Sequence, residues 1–355
     1  MQYSRVGTSG LRVSQLCLGA MTFGQRFHNI GVVGQSQADE MVRLALDAGV
    51  DFFDTADAYS RGESEEILGR ALKAAGARRE SVVVATKVNA PMSDEASKGT
   101  SDLNNMGLSR KHIMESCHAS LRRLGTDYID LYQIHRFDGV IPLQETLEAL
   151  NDLVRQGKVL YIGCSNITAR ALAKALGISA SREWAIFVSL QAYYSLVARD
   201  LEHELLPLCQ EEGLGLLTWS PLSGGYLSGK YRQGSPEVGR RNEFDFPPVS
   251  ANAAEALGLL EGLARERGAT MARVALAWAR QRPGVTSVIV GARNVDQLRD
   301  NLAAADLELT PEEMNRLSDV TQPAKLYPQW MLEHRPGSGA SSAQPEAPTG
   351  KDRSA

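Results

Sequence analysis

A closed (β/α)8 barrel is the fold this sequence predicts, and three observations predict it. Short apolar runs alternate with helical patterns along the 355-residue chain. The runs number eight, the strand count of such a barrel. The third observation is an absence. An open doubly wound sheet would announce a dinucleotide site with G-x-G-x-x-G after its first strand, and no such pattern occurs in the chain.

The runs are QLCLG (15–19), DFFDTA (51–56), VVVATKV (82–88), YIDLYQIH (128–135), VLYIGCSN (159–166), IFVSLQ (186–191), GLLTWS (215–220) and SVIVG (287–291). Each is too short for a helix, and most lack polar alternation, as expected of strands buried on both faces. Between them lie helical stretches at Ala38–Ala48, Ser64–Ala75, Arg110–Leu124, Leu143–Gln156 and Leu201–Glu212. In the fourth, Leu147, Leu150, Leu153 and Val154 mark one face at helical spacing. Gly49, Gly76, Gly125, Gly157, Gly177 and Gly213 each follow a helical pattern, where a left-handed cap is expected. Gln2–Val13 reads as an N-terminal β-hairpin, turning at Thr8-Ser9-Gly10, that plugs the barrel floor. Residues 92–107 and 223–250 are too long for ordinary connections and read as lids or binding loops. The pattern makes 1–335 one barrel domain. From Pro336 the chain holds no large apolar residue, so 336–355 is expected to be a disordered tail.

With 43% hydrophobic and 23% charged residues the chain can fill a large core. A formal charge of −4, with no basic stripe or acidic block, argues against a nucleic-acid partner. The start, MQYSRVGTSGLRVSQLCLG, has no charged segment leading into an apolar one, and no apolar run reaches membrane-spanning length. Cys17, Cys117, Cys164 and Cys209 sit far apart in apolar patterns and read as reduced, packed thiols of a cytoplasmic protein. The six histidines show no ligand spacing with them, so no metal is expected.

Barrel enzymes carry their chemistry at the C-terminal ends of the strands. Asp54 ends the second run, with Tyr59 five residues on. Lys87 closes the third and His135 the fourth. Ser165 and Asn166 close the fifth, Gln191 the sixth, and Trp219 with Ser220 the seventh. A carboxylate, a phenol, an ammonium and an imidazole therefore converge on one rim from three neighbouring strands. A buried Lys and Asp must pair, and a purely structural ion pair is the plainer reading. The catalytic reading uses the same pair. A tyrosine at its ordinary pKa is a poor acid at neutral pH. A nearby lysine is expected to lower that pKa, with the aspartate holding the lysine charged. Tyr59 then gives a proton to a carbonyl oxygen as hydride reaches the carbon, and neutral His135 orients the carbonyl.

The motifs DTADAYS (54–60), ATKV (85–88), QIHRFD (133–138), GCSN (163–166), TWSPL (218–222), SGGYLSGKY (223–231) and GARNVDQLRDNL (291–302) resemble those of the aldo-keto reductase superfamily, in its order. The resemblance runs from Leu18 to about Leu302. It implies a TIM barrel, an Asp54–Tyr59–Lys87–His135 tetrad and NADPH across the barrel mouth. It implies that Ser165, Asn166 and Gln191 hold the nicotinamide carboxamide and that Trp219 stacks on the ring, where many members have Tyr. The segment from Ser220 through Pro221, Leu222 and Gly224 to Lys230 would wrap the pyrophosphate, with Arg240 adding charge. Met21 and Gly291 join the implied cofactor contacts. Arg293, Gln297 and Asn301, spaced i, i+4 and i+8, would share a helix face gripping the 2′-phosphate. The plainer reading of Arg293 is a solvated helix-end charge.

Three functions compete. The complete tetrad favours NADPH-dependent reduction of aldehydes and ketones to alcohols. The family also holds potassium-channel β subunits, NADPH-binding partners that resemble this chain at Trp219 but carry Asn where it has His135. A Schiff-base aldolase could also use Lys87. The last part of the chain, LYPQWMLEHRPG (326–337), resembles a bacterial-type subgroup, in which Trp330 either reaches the substrate pocket or packs on the barrel exterior.

Overall fold

The computed structural model describes residues 1–25, 30, 32–137, 139–231 and 246–333. The chain divides into two units, Met1–Gln322 and Pro323–Ala355. The boundary expected at 335, and the whole of the expected tail, lie outside the described residues.

The first unit opens with an antiparallel hairpin, β1 (Tyr3–Arg5) and β2 (Arg12–Ser14). Eight parallel strands follow: β3 (Leu16–Gly19), β4 (Phe52–Asp54), β5 (Val83–Val88), β6 (Ile129–Ile134), β7 (Val159–Ser165), β8 (Phe187–Tyr193), β9 (Gly215–Trp219) and β10 (Val285–Val290). They close in sequence order, β10 pairing with β3. Each expected run is thus one strand of a (β/α)8 barrel. Helices α1 (Gln35–Asp47), α2 (Glu63–Ala74), α3 (Asp94–Lys98), α4 (Arg110–Leu124), α5 (Leu143–Arg155), α6 (Ala169–Arg182) and α7 (Leu205–Glu211) fall between strands, and Val295–Leu302 follows β10.

The strands form where both faces find apolar partners. All six residues of β6 are buried. Cys17, Phe52, Ala85, Leu131, Leu217 and Ile289 pack together with Val6 and Val13 of the hairpin. The hairpin therefore contributes its apolar side chains to the same cluster as six barrel strands. Helix α5 buries Leu147, Leu150 and Leu153 on the face read from the sequence, with Val154 half-buried beside them. Ser109 starts α4 by accepting from the His112 N–H at 3.3 Å, and Gly125 ends it at φ 67°. A side chain there would strain the left-handed cap.

Three local expectations differ from the structure. Gly177 lies inside α6, whose left-handed cap is Glu183 (φ 54°). The helix read at Leu201–Glu212 is a 3₁₀ turn, Asp200–Glu202, followed by α7. Pro207 has no N–H to give the carbonyl four residues back, so helical bonding restarts there. Within loop 92–107, Ser93 caps the short helix α3, accepting from the Ala96 N–H at 3.1 Å. Of loop 223–250, residues 232–245 lie outside the described residues.

The second unit is described for residues 323–333. It holds one short helix, Gln329–Glu333, and Tyr327 meets Trp330 at 6.0 Å between ring centroids. Among the described residues no helix is long and apolar enough to cross a membrane.

Candidate active site

Strand register brings Asp54, Lys87 and His135 to the same rim, and the loop after β4 adds Tyr59. Asp54 pairs with Ala85 across β4 and β5, and Lys87 with Gln133 across β5 and β6. His135 follows β6 by one residue, its N–H donating to the Val88 carbonyl at 2.8 Å. Tyr59 opens a 3₁₀ turn after β4. Lys87 is wholly buried and Asp54 is 2% exposed. Nζ of Lys87 donates to Oδ1 of Asp54 at 2.5 Å, to the Thr55 carbonyl at 2.9 Å and to the Tyr59 hydroxyl at 3.2 Å. The Tyr59 and His135 rings meet edge to face, 5.6 Å between centroids and 84° between planes. Two amides complete the arrangement, Gln133, which the sequence reading passed over, and Gln191, which it assigned to the cofactor. Gln133 donates to Oδ2 of Asp54 at 3.1 Å, and Gln191 to the same oxygen at 2.9 Å.

The electrostatics correct one expectation. Burial pushes the Tyr59 phenol above its ordinary value, and the Lys87 charge offsets this only in part. Desolvation wins because the closed barrel removes water from the phenol as well as from the lysine. Burial works against the Lys87 cation too, yet Asp54 and Tyr59 hold its pKa above the ordinary lysine value. For His135, burial and then the Lys87 and Arg136 charges push the pKa down to about 3, so the imidazole is neutral.

A pH prediction follows. A folded-state pKa near 3, against an ordinary 6.5, means the unfolded chain takes up a proton that the folded one refuses. Above pH 6.5 both states are neutral and nothing is lost. Between 6.5 and about 3 the refused proton increasingly disfavours folding as pH falls. His135→Gln is therefore expected to lose less stability than wild type over that window in denaturant titrations. Parallel curves would place the His135 pKa near its ordinary value.

The other expected residues lie around the remaining rim. Ser165 is buried at the end of β7, and Asn166 turns its amide onto the His135 carbonyl and the Ser165 hydroxyl, both at 2.9 Å. Gln191 spends its amide on Asp54 and, at 3.3 Å, on Gln133. Trp219 is layered with two rings of the chain itself, Tyr193 at 4.9 Å and Phe246 at 6.3 Å. Ser220 accepts from the Gly224 N–H at 3.0 Å, with Pro221 buried and Leu222 half-buried between them. The backbone is left-handed at Ser220, Ser223, Gly224, Gly225 and Gly229. The Lys230 stem lies across this turn, since a Cβ on Gly225 would meet its Cε at 2.8 Å. Half-buried Met21 precedes Thr22, whose hydroxyl donates to the Ala292 carbonyl at 2.8 Å, just past Gly291. Arg240 lies outside the described residues.

Arg293 does not share a helix face with Gln297 and Asn301. It precedes Asn294, which caps the helix Val295–Leu302. The Asn294 side chain accepts from the Gln297 N–H, so helical dihedrals begin only after it. Gln297 accepts from the Arg293 N–H at 3.0 Å, and Asn301 donates to the Gly291 carbonyl at 3.2 Å. Both side chains brace the loop. The Arg293 side chain is exposed and makes no ion pair among the described residues. A glycine turn with Lys230 across it, and this exposed arginine on the next strand's loop, suit a phosphate-bearing dinucleotide.

The aldo/keto reductase family model matches residues 15–322. The chain belongs to the aldo/keto reductase family. A versiconal hemiacetal acetate reductase of Aspergillus parasiticus is 36% identical, over 92% of this chain and 99% of its own. An uncharacterized oxidoreductase of Bacillus subtilis, YrpG, is 40% identical over 90% and 96%. A probable voltage-gated potassium channel subunit beta of rice, Oryza sativa subsp. japonica, is 38% identical over 91% and 97%. Family membership and the reductase-named relatives support an oxidoreductase activity for this aldo/keto reductase.

Proposed function

We propose that this aldo/keto reductase reduces aldehydes and ketones to alcohols with NADPH, Tyr59 supplying the proton. The observation that carries the reading is one buried hydrogen-bonded chain, Asp54 to Lys87 to Tyr59, ending beside neutral His135. NADPH, when bound, supplies the hydride. Ser165, Asn166, Gln191 and Trp219 are the residues to hold its nicotinamide, the 220–230 turn its pyrophosphate, and Arg293 its 2′-phosphate.

The chain's own groups divide the remaining work. Burial keeps the Tyr59 phenol protonated at neutral pH, as a donor must be. Lys87 donates to the phenolic oxygen, so this bond does not consume the phenol's hydrogen. As that hydrogen passes to the substrate oxygen, the growing phenolate meets a cation already in place. Asp54, itself held by Gln133 and Gln191, keeps the cation from moving. Neutral His135 offers a hydrogen bond to the same carbonyl oxygen. An aldolase requires a neutral, nucleophilic amine at Lys87, and three acceptors around Nζ oppose that form. The four cysteines are buried thiols without disulfides, which supports a reducing, cytoplasmic setting.

The test is NADPH consumption, followed by absorbance, against a panel of aldehydes, ketones, dicarbonyls and quinones. Turnover on at least one class is expected. Tight NADPH binding with no turnover would favour a second reading, a regulatory subunit, the role the rice relative's name carries for a potassium channel. For cofactor choice, Arg293→Ala is expected to weaken NADPH by roughly 1–3 kcal/mol, the range for a charge-assisted contact, and to leave NADH almost unchanged. Equal losses for both in a fluorescence titration would remove Arg293 from 2′-phosphate recognition.

A further inference from the structure

The Tyr59 loop and the Lys87 strand meet over a second pair of charges. Glu65, on α2 and wholly buried, accepts from the Thr86 hydroxyl at 2.6 Å and from Nε of Arg123 at 2.6 Å. Thr86 immediately precedes Lys87 on β5, and Arg123 lies on α4. The Arg123 guanidinium presses against Gly62, where a Cβ would come within 2.5 Å of Nε. Gly62, at φ 88°, ends a left-handed turn that starts at Ser60 (φ 48°) and Arg61 (φ 55°), directly after Tyr59. Non-glycine residues hold such dihedrals only where their surroundings enforce them. One carboxylate is thus tied to the strand carrying Lys87 and, through Arg123, to the turn carrying Tyr59.

A buried ion pair is seldom retained for stability, since an apolar pair of similar volume is often as good. This one bridges two backbones, β5 at Thr86 and the turn at Gly62. Asp57, buried on the same loop, does not compete for it. Burial and the Glu65 charge push the Asp57 carboxyl well above its ordinary range, against the pull of Arg123. Neither Asp57 carboxyl oxygen makes a hydrogen bond among the described residues, so the guanidinium is left to Glu65.

We propose that the buried Glu65–Arg123 pair is a positioning device for the proton donor, setting the separation between the Tyr59 hydroxyl and the Lys87 ammonium through Gly62 and Thr86. The proposal rests on the reading of Tyr59 as that donor. A misplacement of about 1 Å can cost on the order of a hundredfold in rate, so a loosened turn is visible in the chemical step.

Two variants of conserved shape test it: Thr86→Val removes one hydrogen bond to Glu65, and Glu65→Gln removes the charge. Each is expected to lower kcat for an aldehyde about ten- to a hundredfold. KM and NADPH affinity should hold, and the isotope effect with 4-deuterated NADPH should rise. Without cofactor, a crystal structure of Thr86→Val should show the 3.2 Å Tyr59–Lys87 separation opened beyond hydrogen-bond reach. If Glu65→Gln fails to fold, Thr86→Val decides. An unchanged separation with unchanged kcat overturns the proposal. So does a loss shared equally by kcat, KM, cofactor affinity and Tm, the mark of a merely structural pair. Wild-type protein inert on every carbonyl would sink the reductase reading instead, and the Thr86→Val separation would still decide this one.

Discussion

Lys87→Met is expected to cost the protein both its turnover and several kilocalories of stability. The wild-type ammonium is wholly buried and bonds Asp54, Thr55 and Tyr59 at once. Methionine fills the space but leaves the Asp54 carboxylate, among the described residues, to the two glutamine amides. Breaking a buried pair by removing one member costs about 3–5 kcal/mol, mostly for the stranded charge. Asp54→Asn in the same chain removes that charge while keeping an acceptor for Gln133 and Gln191. The double variant is therefore expected to regain much of the lost stability in denaturant titrations. Its activity should stay as low as that of Lys87→Met, because the phenol still lacks its cation. The two measurements separate the pair's structural role from its chemical one. A single variant of wild-type stability would mean Asp54 is satisfied without the lysine.

The barrel was legible because its signal is a count. Eight apolar runs in order survive errors of one or two residues at every end. The meeting of Asp54, Tyr59, Lys87 and His135 was legible because strand ends in this fold point at one place, and Asp54, Lys87 and His135 stand at three such ends. What escaped depended on three-dimensional context. Gln133 was within reach: it sits two residues before His135, so the two-residue period of a strand puts both on the lumen side. It was passed over because the run was read only for the residue that closes it. Asn166, Gln297 and Asn301 are rim residues by sequence, yet their side chains brace backbone carbonyls or N–H groups, which no spacing reveals.

The direction of the Tyr59 shift was misread for a related reason. Sequence supplies the neighbouring lysine, but desolvation depends on how completely the barrel and its loops close around the phenol. Glu65 and Arg123 escaped differently. On separate helices 58 residues apart, they read as ordinary solvated charges until packing brings them together beneath Gly62.

The result on which the mechanism stands or falls is Tyr59→Phe. The substitution removes one oxygen and keeps the ring, so the edge contact with His135 survives. Lys87 loses one acceptor of three and retains Asp54 and the Thr55 carbonyl. The stability loss is accordingly expected to be about 1 kcal/mol, the net worth of one hydrogen bond. NADPH binding is expected to stay near normal. Aldehyde reduction, by contrast, is expected to fall roughly a hundred- to ten-thousandfold, the usual range for a lost general acid. Because donor and cation act as one unit, Tyr59→Phe combined with Lys87→Met should turn over little more slowly than either alone. Single-turnover mixing of the NADPH complex with aldehyde is the measurement, since it reads the chemical step before slow cofactor release can mask it. Should Tyr59→Phe keep most of the wild-type rate there, the proton must come from elsewhere. The Asp54–Lys87 pair would then revert to a structural ion pair, and a cofactor-binding subunit would become the better account of this rim.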